Sequence, residues 1–420
     1  VTERKIALQT RILAIGAVGG AGLSFVIFAA IGRVLGEVGL GAYAVALAYA
    51  YPASIVVEFG LGTLLIRDSA GSVTAANALL RPVMVQRTVM GSAVMLALVA
   101  CAPILSSDPV TQRAIAVAAP LVLLTPLFSV FAAVLRVGDR VTAIAALNIG
   151  MLLVQAALTV GVLISGGGVL GALAVNTLTS AGQVLAVWWL WRKYSPLPDL
   201  PAQQTHSLPD LPPLAQGREI AALVRRALPF AVGGVLAAIS MRAAIVLLEF
   251  LTDARGAGIF SAANRFIDAA KLIPIALYGA MLPALSALAG DPKSMRRAFA
   301  ASQRRLVVYG MAAGLALALA APLAIRVIFG AGFGESVVPL MILSIGLVAA
   351  TGRGGALVWC YASGRERRAN VAIAVGLVVT IGVGLALIPA WGAVGAAVAV
   401  VAGDGVVWRM SILENRATLI

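Results

Sequence analysis

The chain is built from apolar runs long enough to cross a bilayer, and a run of about 20 such residues leaves little choice but a membrane-spanning helix. Spans are expected near 12–32, 42–66, 88–106, 114–135, 141–165 and 168–191, and again near 227–250, 257–286, 306–329, 336–361, 369–389 and 391–408. Of the 420 residues 61% are hydrophobic and 11% charged, and the mean hydropathy is +1.01. That balance excludes an ordinary soluble domain and predicts an all-α polytopic membrane protein of about 12 helices. The opening segment has the charged flank of a signal peptide, but its apolar run is too long and a second span follows at once, so it reads as the first helix.

A formal charge of +14 raises the question of nucleic acid. The basic residues, however, fall in short clusters between spans and not along one soluble face, so no nucleic-acid partner is expected. Alternate connections carry Arg4, Lys5 and Arg11; Arg67, Arg81 and Arg87; Arg136 and Arg140; and so on to Arg409 and Arg416, whereas the opposite connections hold Arg33, Arg113 and Arg255. By the positive-inside rule both termini are cytoplasmic, in a multi-pass protein of the cytoplasmic membrane.

The proline-rich stretch KYSPLPDLPAQQTHSLPDLPPLAQG divides the chain into an N-terminal six-helix lobe (1–191), a cytoplasmic linker (192–217) and a C-terminal six-helix lobe (218–420). His206 lies in this linker as a solvated residue. The lobes echo each other: GLGAYAVALAY at 39–49 matches GAGIFSAANRF at 256–266, and GVLGALAV at 168–175 matches GAVGAAVA at 392–399. An even number of helices per repeat makes matched helices parallel, which implies two pseudo-symmetric lobes around a central cavity, related about an axis along the membrane normal.

GRVLGEVGLGAYAVALAYAYPASIVVEFGLGTLLIRDSA at 32–70 resembles the opening of the polysaccharide-biosynthesis exporters, the lipid-linked oligosaccharide flippases of the multidrug/oligosaccharidyl-lipid/polysaccharide exporter superfamily. The stretches at 253–291, 325–343 and 391–406 resemble the family's eighth, ninth and final helices. The resemblance implies alternating access, in which two lobes rock about a cavity that opens first to one side and then to the other. Where the superfamily often has an acidic residue in helix 7, this chain has ISMRAAIVLLEF, with Arg242 and Glu249.

Charge inside the spans is rare and needs a reason. On the eighth span Ser261, Asn264, Arg265, Asp268 and Lys271 fall on one arc, with two cations against one acid. They are expected to face the cavity, with Arg265, Lys271, Arg353 and Arg242 binding phosphate and Asn264, Ser261 and Asp268 in support; the alternative is pairing within the packed helices. Arg353 either binds an anion or pairs with Glu58 or Asp268. Glu58 and Asp268 are the candidate coupling carboxylates for a proton or sodium ion, and Asp404 reads as structural. Asn148, Gln155, Asn176 and Gln183 either line the first lobe's wall or bond between helices. Cys101 and Cys360 have no metal-ligand spacing, and there is no Walker motif or nucleophile elbow, so neither a cofactor nor an enzyme is expected.

The reading is a flippase for a lipid-diphosphate-linked oligosaccharide or polysaccharide precursor, monomeric, in the bilayer, beside a polysaccharide polymerase and glycosyltransferases. Its rivals are a multidrug or cation antiporter, which would want acids in the cavity, and a non-transporting assembly or scaffold protein.

Overall fold

The computed structural model describes residues 3–58, 73–194, 217–288 and 290–416, and among them every regular element is helical. The helices are α1 (Glu3–Glu58), α2 (Val73–Leu105), α3 (Pro109–Ala118), α4 (Leu121–Val137), α5 (Val141–Ile164), α6 (Gly168–Tyr194), α7 (Gly217–Leu251), α8 (Ala254–Ala270), α9 (Leu272–Ala287), α10 (Pro292–Ile328), α11 (Val337–Ala362), α12 (Glu366–Trp391) and α13 (Ala393–Arg416), with a 3-10 turn at Ala331–Ser336. The inter-lobe linker from 195 to 216, with His206, and the end of the second span with Arg67 lie outside the described residues.

Among the described residues ten helices are long and apolar enough to span a membrane, and the bent pair α8–α9 makes an eleventh. The twelfth is folded into α1, where Gly36 takes φ 69°, a left-handed conformation that glycine adopts without a Cβ penalty. The rings of Phe28 and Tyr43 lie 5.1 Å apart, edge to face. Fifteen residues of straight helix would separate them by about 22 Å, so the chain turns back at Gly36. The first two spans are therefore a hairpin.

The eighth span is broken at Lys271, where α8 and α9 meet at 44°. Pro274 has no N–H to give the carbonyl of Ala270 four residues earlier. That carbonyl instead accepts from the Tyr309 hydroxyl of α10 at 2.6 Å.

The second half of α1 crosses α8 where the two lobes meet. A Cβ on Gly41 would stand 1.6 Å from the carbonyl oxygen of Ala254, and one on Gly258 would stand 1.9 Å from that of Glu37. Each glycine thus lies on the carbonyl four residues before the other, a reciprocal contact between matched positions of the internal repeat. The second repeat pair behaves alike: Gly168 and Gly392 both open their helices with positive φ, 61° and 50°. One apolar core runs through this crossing, from Leu40, Val45 and Ala46 of the first lobe to Ala257, Phe260 and Ala263 of the second.

Arg87 departs from the sequence expectation. It was grouped with a cytoplasmic connection, but α2 begins at Val73 and Arg87 is fully buried within it.

Backbone contact at the crossing leaves no room for a methyl group. Gly41→Ala or Gly258→Ala should each destabilise the protein by about 1–3 kcal/mol, whereas Gly332→Ala, with nothing within 4 Å of the new carbon, should change stability by less than about 0.5 kcal/mol. Unfolding midpoints in detergent check both.

Candidate inter-lobe site

At one end of the molecule the lobes are shut. Arg255, in the first turn of α8, bonds Glu37 of α1 through Nε at 2.6 Å and grips Glu335 with two nitrogens at 2.7 and 3.2 Å. Beside it the Ser106 hydroxyl, just past α2, bonds Glu249 Oε1 of α7 at 2.5 Å. Asp108 caps α3 next to this contact; partial burial works against its charge, but the hydroxyl and amide of Thr111 and the amide of Val110 outweigh that and hold the carboxyl below its ordinary range. Inward from this seam a chain of aromatic contacts, Phe25 with Phe266 and Phe329, and Phe329 with Phe333, fills the space between the lobes.

Deeper in, the polar stripe of α8 faces α1 and α7. The Arg265 guanidinium lies 3.2 Å above the ring of Phe28, and its Nη1 is 3.9 Å from Asp268. Asp268 also accepts from Asn264 at 3.3 Å. Arg242 of α7 and Tyr43 and Tyr51 of α1 are within electrostatic reach of Arg265. Arg242 lies 5.8 Å from the centre of the Tyr51 ring and, among the described residues, has neither a hydrogen bond nor an ion pair. Tyr43 in turn accepts from Asn176 at 3.4 Å. Arg265 therefore has one carboxylate at 3.9 Å and Arg242, among the described residues, has none, while both guanidinium groups lie beside aromatic rings.

The remaining candidates are placed differently. Arg353 bonds Asp404 at 2.6 Å inside the second lobe, instead of Glu58 or Asp268, so it belongs to a separate ion pair. Glu58 accepts from Ser129 at 2.7 Å and lies 3.7 Å from Arg87, whose guanidinium also bonds Ser129 at 2.8 Å and the carbonyl of Pro126. Ser261 is buried at 2% exposure, its hydroxyl without a partner, so it faces packed helix and not open space. Lys271 sits half-buried at the bend. Phe28, Tyr43 and Tyr51 were not singled out from the sequence, because aromatic residues in an apolar span carry no signal that separates a ligand wall from core.

Two cavities share a wall of α1. A polar one of about 440 Å³ in the first lobe is lined by Asn148, Gln155, Thr179, Ser180 and Gln183, with Arg136 among its lining residues, and Gln183 donates to Asn148 at 2.7 Å. An apolar groove of about 500 Å³ runs between the lobes, walled by Ala21, Gly22, Phe25, Phe266, Ala269, Ala270 and Ala313. Ala21 borders both. Among the described residues no group of three or more His, Cys, Asp or Glu is arranged to hold a metal.

A family model described as polysaccharide biosynthesis protein matches residues 30–338. No curated protein matches the chain. Among solved structures it is similar to a multidrug-resistance MATE-family transporter of the MOP superfamily in its inward-facing conformation, at 15% identity and a TM-score of 0.76 over 96% of this chain and 94% of that one. The outward-facing conformation of such a transporter matches with a TM-score of 0.65 at 15% identity, over 98% and 95% of the two chains. A MOP-superfamily transporter from Pyrococcus furiosus, described as having a binding pocket of reverse polarity that suggests a different function, matches at 16% identity with a TM-score of 0.68, over 98% and 95%.

The Arg87 pair offers a test of which charges are structural. Glu58→Gln leaves a fully buried guanidinium uncompensated and should cost about 3 kcal/mol, the low end for a buried pair because Glu58 keeps some access to solvent. Adding Arg87→Leu removes the orphaned charge, so the double variant should recover part of the loss in a thermal unfolding assay.

Proposed function

The chain belongs to the polysaccharide biosynthesis protein family and has the fold of MOP-superfamily transporters, and on that premise we propose that it flips a lipid-diphosphate-linked saccharide across the membrane by alternating access. The observation that carries this reading is the Arg242–Arg265 pair, held between the lobes with one loosely bound acid, Asp268. A diphosphate entering the membrane loses water, and guanidinium groups replace that water best, as charged donors with fork geometry. Two cations and one acid leave a surplus that about two negative charges would overcome without stranding a large net charge in low dielectric.

The surroundings fit the other two parts of such a substrate. The apolar groove begins at Phe266, the residue after Arg265, and its small side chains leave room for a prenyl tail that stays in contact with lipid. The polar cavity offers amides and hydroxyls, the groups that bond sugar hydroxyls, across Ala21 from the groove. Asp268 orients Arg265 and keeps the empty site from being too positive for release. Asp268 and Glu58 are the candidate coupling carboxylates for a proton or sodium ion, and Asp268 is the better placed because Glu58 is already bound to Ser129. Export of organic cations is disfavoured by the same geometry: the aromatic faces of Phe28 and Tyr51 that would attract a cationic drug already have arginines against them.

Transfer of a fluorescent lipid-diphosphate saccharide across proteoliposomes tests the proposal. Arg265→Ala and Arg242→Ala should each slow transfer about tenfold or more, the worth of one charge-assisted hydrogen bond. Lys at either position should restore only part, because the fork is lost. Arg353→Ala acts on a different pair and should lower stability before it lowers transfer in folded protein. Normal transfer by folded Arg265→Ala and Arg242→Ala variants would remove the proposal.

A further inference from the structure

The seam that shuts the lobes contains an acid with no cation. Glu249 lies in the last turn of α7, 7% exposed, with Oε1 bonded to Ser106 of the other lobe at 2.5 Å and Oε2 buried without a partner. The charged and titratable groups that face it are Tyr49 from α1, Asp108 from the cap of α3 and Asp253 from the cap of α8. The Tyr49 hydroxyl already donates its hydrogen bond to the carbonyl of Leu105 at 3.2 Å. Asp108 is occupied by the amide and hydroxyl of Thr111, and Asp253 by the amide of Gly256. Neither Arg255, spent on Glu37 and Glu335, nor any other described Lys or Arg pairs with Glu249.

We propose that Glu249 is a proton-binding site, and that closing the seam takes up one proton on its carboxyl. The site differs from the substrate cluster and stands whatever the cargo. A carboxylate shut into this place would face two further acids and one hydroxyl donor, with its second oxygen dry and unbonded, an arrangement that strongly disfavours the charged form. The neutral acid is compatible with the same packing. It can donate to or accept from Ser106 Oγ, and it adds no charge beside Asp108 and Asp253. The step is a simple balance: with the seam open, the hydrated carboxylate takes a proton from hydronium in the solution bathing that end, and the resulting carboxylic acid is buried as Ser106 and Glu249 meet. Opening returns the proton to the same solution.

The sign follows directly. Acid on the seam side favours closure, and alkali favours opening. With one proton taken up, the closed-to-open ratio changes by at most tenfold per pH unit. By the distribution of basic residues the seam lies on the outer face, so an acidic exterior would return the empty carrier to the state open toward the cytoplasm. Glu249 would then bias the cycle without binding substrate.

The test is a distance measurement across the seam in the full chain, reconstituted in lipid nanodiscs. Spin labels go at Val110→Cys and Ala331→Cys, both exposed positions on opposite lobes, in a background lacking Cys101 and Cys360. The closed-to-open ratio of the otherwise unchanged protein should fall as pH rises, by up to tenfold per unit. Glu249→Gln should be closed and flat with pH, while Asp108→Asn and Asp253→Asn keep the slope. If Glu249→Gln does not fold, Glu249→Asp decides: a displaced midpoint supports the site and an unmoved one overturns it. A flat profile in the unchanged protein, or an intact slope in folded Glu249→Gln, would also overturn it.

Discussion

A guanidinium stays protonated at any pH a membrane protein meets, so each arginine drawn inward during folding has to be given acceptors. How this chain provides them organises the whole molecule. Arg87 takes a carbonyl, a hydroxyl and Glu58 within the first lobe. Arg353 takes Asp404 within the second. Arg255, held by Glu335 within the second lobe, reaches across to Glu37 of the first. Arg265 is left with Asp268 at 3.9 Å and the ring of Phe28, and Arg242, among the described residues, with the ring of Tyr51 and no acid. The first two arginines are satisfied inside one lobe each, the third joins the lobes at one end, and the last two are those on which the proposed anion binding rests.

The closed end is held by features that work only at contact: reciprocal glycines, the Arg255–Glu37 pair, and a hydroxyl on a buried acid. Each would lose its partner if the lobes separated. Toward the other end the lobes share no comparable set of described contacts; the apolar groove is walled by Phe266, the residue after Arg265, and meets the polar cavity at Ala21.

Much of the architecture was legible because the bilayer imposes a length on every span. Even the lobe crossing left a trace, since Gly41 and Gly258 occupy matched places in the repeat. The stripe on α8 was legible in part: Asn264, Arg265 and Asp268 do converge, but helical periodicity could not show that Ser261 is covered by packing or that Pro274 bends the helix at Lys271. Partners across the fold left no local sign. Asp404 is 51 residues from Arg353, and Ser106 is 143 from Glu249. Arg87 follows Arg81 in a stretch of mixed polarity, so its burial depends on Glu58 and Ser129, which only the tertiary structure brings to it.

The central claim is that Arg242 and Arg265 are kept unsatisfied for an anion. Equilibrium binding of a polyprenyl diphosphate without sugar, compared with the matching neutral polyprenol, isolates that term from transport and from the saccharide. The account predicts that the diphosphate binds far more tightly than the alcohol, and that Arg265→Ala and Arg242→Ala each erase most of the difference while polyprenol binding is unchanged. Equal affinity for the two lipids in the unchanged protein, or a preference that survives both substitutions, would contradict it.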